Sequence, residues 1–261
     1  EGARRAPDEA HPFGYGAARY FWAFVVALVL FSLGGLFAIY EGIDKLRHPH
    51  ELESVGLAVG LLVFAIAVEG FSLRTAVRET RPMLHGRSYW KFIRHTKNPE
   101  LPVVILEDIG AQVGLVFALV GVVLAELTGN PRWDAAGSLA IGVLLVAIAC
   151  ILAVEMASLL LGEAAESHNV NAIRDALTDA THVKAIIHLR TMQQGPEEII
   201  VAAKVAFDDD LSVGELAAAI DGAEGLIREV VPDARLIFLE PDLVRTAPEP
   251  TPPETLSPVA G

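Results

Sequence analysis

The chain has 261 residues, 52% of them hydrophobic, and a mean hydropathy of +0.44, more apolar than most soluble domains. The formal net charge is −13, with most of the excess acid after Glu163, and no basic footprint for nucleic acid is present. One cysteine, Cys150, excludes an intramolecular disulfide and a Cys-rich zinc knuckle; its place in an apolar run predicts a buried, inert thiol.

Residues 1–19 read as a polar N-terminal loop. Glu1 to Pro7 lacks the features of a signal peptide, and the chain begins as if cut from something longer. Four apolar stretches follow, at about 20–43, 55–73, 102–127 and 135–161. Each approaches or exceeds the roughly 20 residues that a helix needs to cross a bilayer core. Small residues such as Gly34, Gly35, Gly110, Gly114, Gly121, Gly137 and Gly142 recur at spacings that let membrane helices approach closely. The membrane domain is therefore 20–162.

Orientation follows from the loops. Arg74, Arg78, Arg81, Arg87, Lys91, Arg94 and Lys97 lie between the second and third stretches, while the other two connections hold only Lys45, Arg47 and Arg132. Positive loops stay inside, so the 74–100 loop, the N-terminal segment and everything after Leu161 are expected on the cytoplasmic side. Tyr20, Phe21, Trp22, Tyr89, Trp90 and Trp133 sit where aromatic belts are expected.

Residues 163–244 read as a small soluble α+β domain. An amphipathic helix over 170–180 precedes a strand at 183–192, a turn at 193–196 and a strand at 198–208. Ser212 and Glu215 have capping-box spacing at the start of a long helix ended by Pro232-Asp233, and 235–239 is a third strand. The order αββαβ suggests a ferredoxin-like layer of helices on one face of an antiparallel sheet. The proline-rich segment 245–261 is expected to be a disordered tail.

Ionisable residues inside spans are functional candidates by default. Glu41, Glu69 and Glu155 lie near span ends, where snorkelling or capping explains them. Glu107-Asp108 lies within the third stretch. Neighbouring side chains point about 100° apart on a helix, so the two carboxylates cannot serve one site equally. They need a cation, a proton or a basic partner, and carboxylate oxygens suit divalent metals. His48 and His50, flanking Pro49, read as a polar turn. No nucleophile elbow, P-loop or HExxH occurs, so an enzyme is not expected.

The segment Asp8-Glu9-Ala10-His11-Pro12-Phe13-Gly14-Tyr15-Gly16 resembles the loop between the second and third helices of cation diffusion facilitators. Asp134 to Ser138, Leu159 to Gly162, Leu189 to Thr191 and Gly195-Pro196 support the likeness, which covers about 8–243. The resemblance implies a divalent-metal/proton antiporter of zinc type with six spans, of which these four would be the third to sixth and the first two would be missing. It implies a homodimer formed through the cytoplasmic domain, lipid, protons and a divalent metal ion as partners, no permanently bound cofactor, Zn²⁺ as the cargo, and the cell membrane as the location. It places the intramembrane metal ligand of the fifth helix on Asp108 and its usual histidine partner on Val104. Glu107 precedes that Asp, as in a divergent branch that also has Leu-Thr-Gly-Asn-Pro, here Leu127 to Pro131, before the last span. Asp8 and His11 match two ligands of a loop site, and Tyr15 replaces the third. The histidines that hold zinc in many such soluble domains fall on Ile187, Ala203 and Leu239, so no metal is expected there. Two readings stay open: a transporter whose cation binds at Asp108, with Glu107 as a further donor, and a non-transporting scaffold or regulatory subunit that keeps the fold without the site.

Overall fold

A computed structural model describes residues 7–49, 54–84 and 88–244, the side chains of Met83 and His95 excepted. The proposed tail and His50 of the His-Pro-His turn lie outside the described residues. Eleven elements follow in order: α1 Ala18–Arg47, α2 Val55–Thr80, a 3-10 turn Arg81–Leu84, α3 Tyr89–His95, α4 Glu100–Thr128, α5 Arg132–Leu161, α6 Ser167–Asp179, β1 Val183–Gly195, β2 Glu198–Phe207, α7 Val213–Val230 and β3 Ala234–Pro241. They divide into two compact units, residues 1–167 with 191–200, and residues 168–190 with 201–261.

In the first unit, α1, α2, α4 and α5 are each long and apolar enough to cross a membrane. At 1.5 Å per residue, their 26 to 30 residues outlast a bilayer core of about 30 Å. The closest seam joins α1 to α5. A Cβ added at Gly142 would lie 2.5 Å from Ile39 Cγ1, 2.8 Å from Ile39 N and 2.9 Å from the Gly35 carbonyl oxygen, so only glycine permits this approach. Gly121 and Gly137 bring α4 and α5 together in the same way, a Cβ on Gly137 falling 2.9 Å from the Phe117 carbonyl oxygen. Ala27, Phe31, Ile105, Ile148 and Leu152 fill the core between these three helices. By contrast, α2 packs chiefly on α4, and its apolar window has no buried residue. Its outer side chains, Phe64 and Phe71 among them, present a surface suited to hydrocarbon.

The stretch from Arg74 to Lys97 is largely helical rather than a loop. The Ser88 hydroxyl accepts from Lys91 N–H at 3.3 Å to cap α3, whose Phe92 and Ile93 enter the core while Trp90 stays exposed. Tyr89 donates to the Val77 carbonyl at 2.8 Å. Tyr20 is no belt residue: it is fully buried with Met156 and Leu159, and its hydroxyl donates to the Lys97 carbonyl at 3.0 Å. Cys150 is exposed, on an outward face of α5, which corrects the expectation of a buried thiol.

The sheet order is β1-β2-β3. The hairpin turns at Pro196-Glu197, later than expected, because β1 continues to Gly195. Asp242 N–H, just past the end of β3, donates to Val205 O near the end of β2 at 3.0 Å. These two strands therefore run parallel, with α7 as their crossover, and the sheet is mixed rather than antiparallel throughout. In the second unit Val201, Ala203, Val205 and Ile237 of the sheet and Ile173, Leu177, Ala223 and Ile227 of the helices are buried. Ser212 and Glu215 form the expected capping box at α7.

Candidate intramembrane cation site

Helix α4 begins at a strong start signal. The Asn98 side chain accepts from Glu100 N–H at 3.1 Å, Pro102 lies in the first turn where its missing donor costs nothing, and Glu100 pairs with Arg19 of α1 at 2.8 Å. Two turns on, Ile105, Leu106 and Gly110 are buried. Glu107 is exposed and Asp108 is half-buried, so the two carboxylates do diverge around the helix. Among the described residues neither has a hydrogen-bond or ion-pair partner. Val104, one turn before Asp108, is 47% exposed and offers no ligand.

One turn after Asp108 stands Gln112, which sequence reasoning passed over. Its Oε1 is buried without a hydrogen-bond partner among the described residues. Across from it lies α2 at Gly70, where an added Cβ would be 3.7 Å from that oxygen. Asp108 and Gln112 are four residues apart and so share a face of α4. The signal in the sequence was an amide at that spacing from a membrane carboxylate.

The other acids of the spans differ. Glu41 pairs with Lys45 at 2.9 Å, and the same ammonium reaches Asp134 at 2.9 Å and the Ser138 hydroxyl at 3.3 Å. This cluster ties α1 to α5 and leaves Glu41 neutralised. Glu69, next to Gly70, is half-buried, and Glu155 is held by a partner.

The N-terminal loop brings Asp8 and His11 together as the resemblance implies, but its carboxylate is already engaged. Asp8 Oδ1 accepts from Ala10 and His11 N–H at 3.1 and 2.8 Å, and Oδ2 accepts from the Tyr15 hydroxyl at 2.7 Å. His11 Nδ1 is 3.5 Å from Oδ1, and its ring lies 4.3 Å from that of Tyr15. The Tyr15 hydrogen bond, then that from the His11 backbone, holds the Asp8 carboxyl below the usual range. Among the described residues no three His, Cys, Asp or Glu side chains gather into a metal site. Asp8 and His11 on one side and Glu107 and Asp108 on the other thus do not form one cluster. His188 is exposed, and Ile187, Ala203 and Leu239 offer no ligand in the sheet.

The sequence matches two family models, the cation efflux transmembrane domain over residues 2–161 and the cation efflux protein cytoplasmic domain over residues 165–242. It is 32% identical over 206 residues to the mitochondrial proton-coupled zinc antiporter SLC30A9 of Xenopus laevis, covering 78% of this chain and 37% of that protein. It is 27% identical to metal tolerance protein C4 of Arabidopsis thaliana, covering 81% of this chain and 47% of that one. It is 26% identical to the cation-efflux pump FieF of Serratia proteamaculans, covering 88% and 72%. The chain thus spans little more than a third of the length of the antiporter it matches.

Proposed function

The chain belongs to the cation diffusion facilitator family of cation efflux proteins, and we propose that it acts as a proton-coupled efflux transporter of a divalent metal ion, of zinc type. The observation that carries this is Asp108: a half-buried carboxylate on an apolar membrane helix, with no protein cation or donor to neutralise it among the described residues. Such a group is expensive in hydrocarbon and persists where it binds a mobile cation or a proton. Both compete for the same oxygens, so metal loading releases a proton and protonation releases metal. That competition is the coupling. Metal enters from the cytoplasmic side, binds at Asp108 and leaves outward as protons enter. Glu107, one residue earlier and exposed, is a further oxygen donor on the approach. Asp8 and His11 are at most a weak collecting pair, since Tyr15 already occupies one carboxylate oxygen.

Further parts of the reading are a homodimer formed through the C-terminal unit and placement in the cell membrane with that unit in the cytoplasm. The family matched by residues 165–242, a cytoplasmic domain whose family name denotes a dimer, the basic segment from Arg74 to Lys97 and the exposed apolar helices support them. The non-transporting scaffold is the second reading; Val104 in place of a ligand and the saturated loop carboxylate favour it.

The two readings part on one experiment. Proteoliposomes with an imposed pH gradient are loaded with an indicator that responds to both Zn²⁺ and Mn²⁺, and the flux of each is compared with that of Asp108→Asn, which keeps the shape and removes the charge. Flux in the parent and its loss in the variant is the expected result. No flux in either, with no metal binding that depends on Asp108, establishes the scaffold; equal flux in both refutes the role of Asp108.

A further inference from the structure

The orphaned oxygen of Gln112 needs an account. A buried carbonyl oxygen without a donor is costly, and native structures keep few of them. Here it lies on the same face of α4 as Asp108, one turn away, and that carboxylate also lacks a partner among the described residues. Exchanging the amide nitrogen and oxygen would not relieve the position, because an unpaired donor would replace an unpaired acceptor. The facing α2 backbone carries no side chain at Gly70, where an added Cβ would come within 3.7 Å of the oxygen, so that position offers the oxygen no donor. An acid and a neutral carbonyl at this spacing, both without donors, suit a positive ion. They do not suit a proton relay, because an amide does not titrate.

We propose that Gln112 is the second ligand of the transported ion, and that the Asp108–Gln112 pair selects a hard divalent cation such as Mn²⁺ over Zn²⁺. The proposal rests on the reading of Asp108 as the transport carboxylate of a divalent-cation transporter, and departs from zinc as its preferred cargo. Two oxygen donors on a seam whose helices, α2 and α4, carry no His or Cys make a hard site, whereas nitrogen or sulfur ligands draw the preference toward zinc. The carbonyl contributes a dipole and no charge. The ion is therefore held by one negative charge, weakly enough to leave when Asp108 takes up a proton.

The test is calorimetric titration of the purified chain in lipid nanodiscs with MnCl₂ and with ZnCl₂, using Asp108→Asn, Gln112→Leu, Gln112→His and Gln112→Glu. Asp108→Asn is expected to weaken both metals. Gln112→Leu is expected to weaken Mn²⁺ about tenfold or more and Zn²⁺ distinctly less, and Gln112→His to turn the preference toward Zn²⁺. Gln112→Glu keeps the side-chain length, adds charge, and is expected to tighten Mn²⁺; it serves as the decisive variant if the leucine does not fold. If Asp108→Asn changes neither affinity, the transport-site reading itself falls. If Asp108→Asn abolishes binding while the Gln112 variants leave both affinities unchanged, only the role of Gln112 is overturned. A Gln112→Leu protein that melts higher than the parent with unaltered metal binding overturns it likewise, since the oxygen is then a structural cost and nothing more.

Discussion

Replacing Gly142 by alanine should loosen the α1–α5 seam. The new methyl would meet Ile39 Cγ1 at 2.5 Å, which a side chain can evade, but also Ile39 N at 2.8 Å and Gly35 O at 2.9 Å, which are backbone atoms of a regular helix. Restoring ordinary contact requires the two helices to part by roughly 0.5–1 Å, enough to forfeit a quarter to a half of each dispersion well along the seam. Overpacking of this kind costs about 1–3 kcal/mol, offset by about 1 kcal/mol from the better helix propensity of alanine. The net expectation is about 0–2 kcal/mol of destabilisation, a fall in the unfolding midpoint of up to several degrees for a chain of this size. Gly222 in α7 provides the control: it is exposed, no atom lies within 4 Å of an added Cβ, and alanine there should stabilise α7 by about 0.5–1 kcal/mol. The assay separates the units, because Trp22, Trp90 and Trp133 all lie in the first one. Tryptophan fluorescence during heating in detergent should show Gly142→Ala shifted down and Gly222→Ala unmoved. A Gly142→Ala midpoint above that of the parent would refute the backbone-contact reasoning.

Three further outcomes are expected. Lys45→Met should strand Glu41 and Asp134 beside each other and lower the tryptophan-detected midpoint by about 1–2 kcal/mol, a figure discounted for the 44% exposure of Glu41; adding Asp134→Asn should recover part of it. Ser212→Ala should cost the second unit about 1 kcal/mol, read by far-UV circular dichroism, through loss of the cap on α7. Tyr15→Phe should raise the Asp8 carboxyl back toward its ordinary 3.8, followed by carbonyl NMR. Because Asp8 is depressed in the fold, its contribution to stability is present above that value and fades as pH falls through the lower folded one, so the variant should fade at a higher pH than the parent.

Much of the architecture was legible because its causes are local. Four apolar stretches of membrane length and the Ser212–Glu215 box are written in consecutive residues. The errors arose where one pattern serves two structures. An aromatic at a span end looks the same whether it anchors to headgroups or, like Tyr20, plugs a core. Alternation reveals a strand's faces but not its direction; that β2 and β3 are joined through α7 was the neglected sign of a parallel pair. Asp108 was singled out because charge in hydrocarbon is anomalous on its own. Gln112 was not, because an amide becomes anomalous only once its partners are known to be missing.

The two helix pairs of the first unit meet their costs differently. Along α1–α5 the backbones touch through Gly35 and Gly142, and the half-buried cation Lys45 is matched by two carboxylates and a hydroxyl. Every local choice there agrees with the packed state, which is what a scaffold requires. Along α2–α4 the pattern breaks: an apolar helix with no buried residue in its window faces a helix carrying a bare carboxylate and an unpaired carbonyl. Both defects lie on the same face of α4, one turn apart, and nothing in the packing of α4 against α5 requires either. A scaffold that had lost its site would be free to replace Asp108 and Gln112 with leucine and gain stability. That the unsatisfied groups lie on one face of α4, while the α1–α5 seam holds no buried unpaired side-chain oxygen or nitrogen among the described residues, is what favours a retained ion site over a relic.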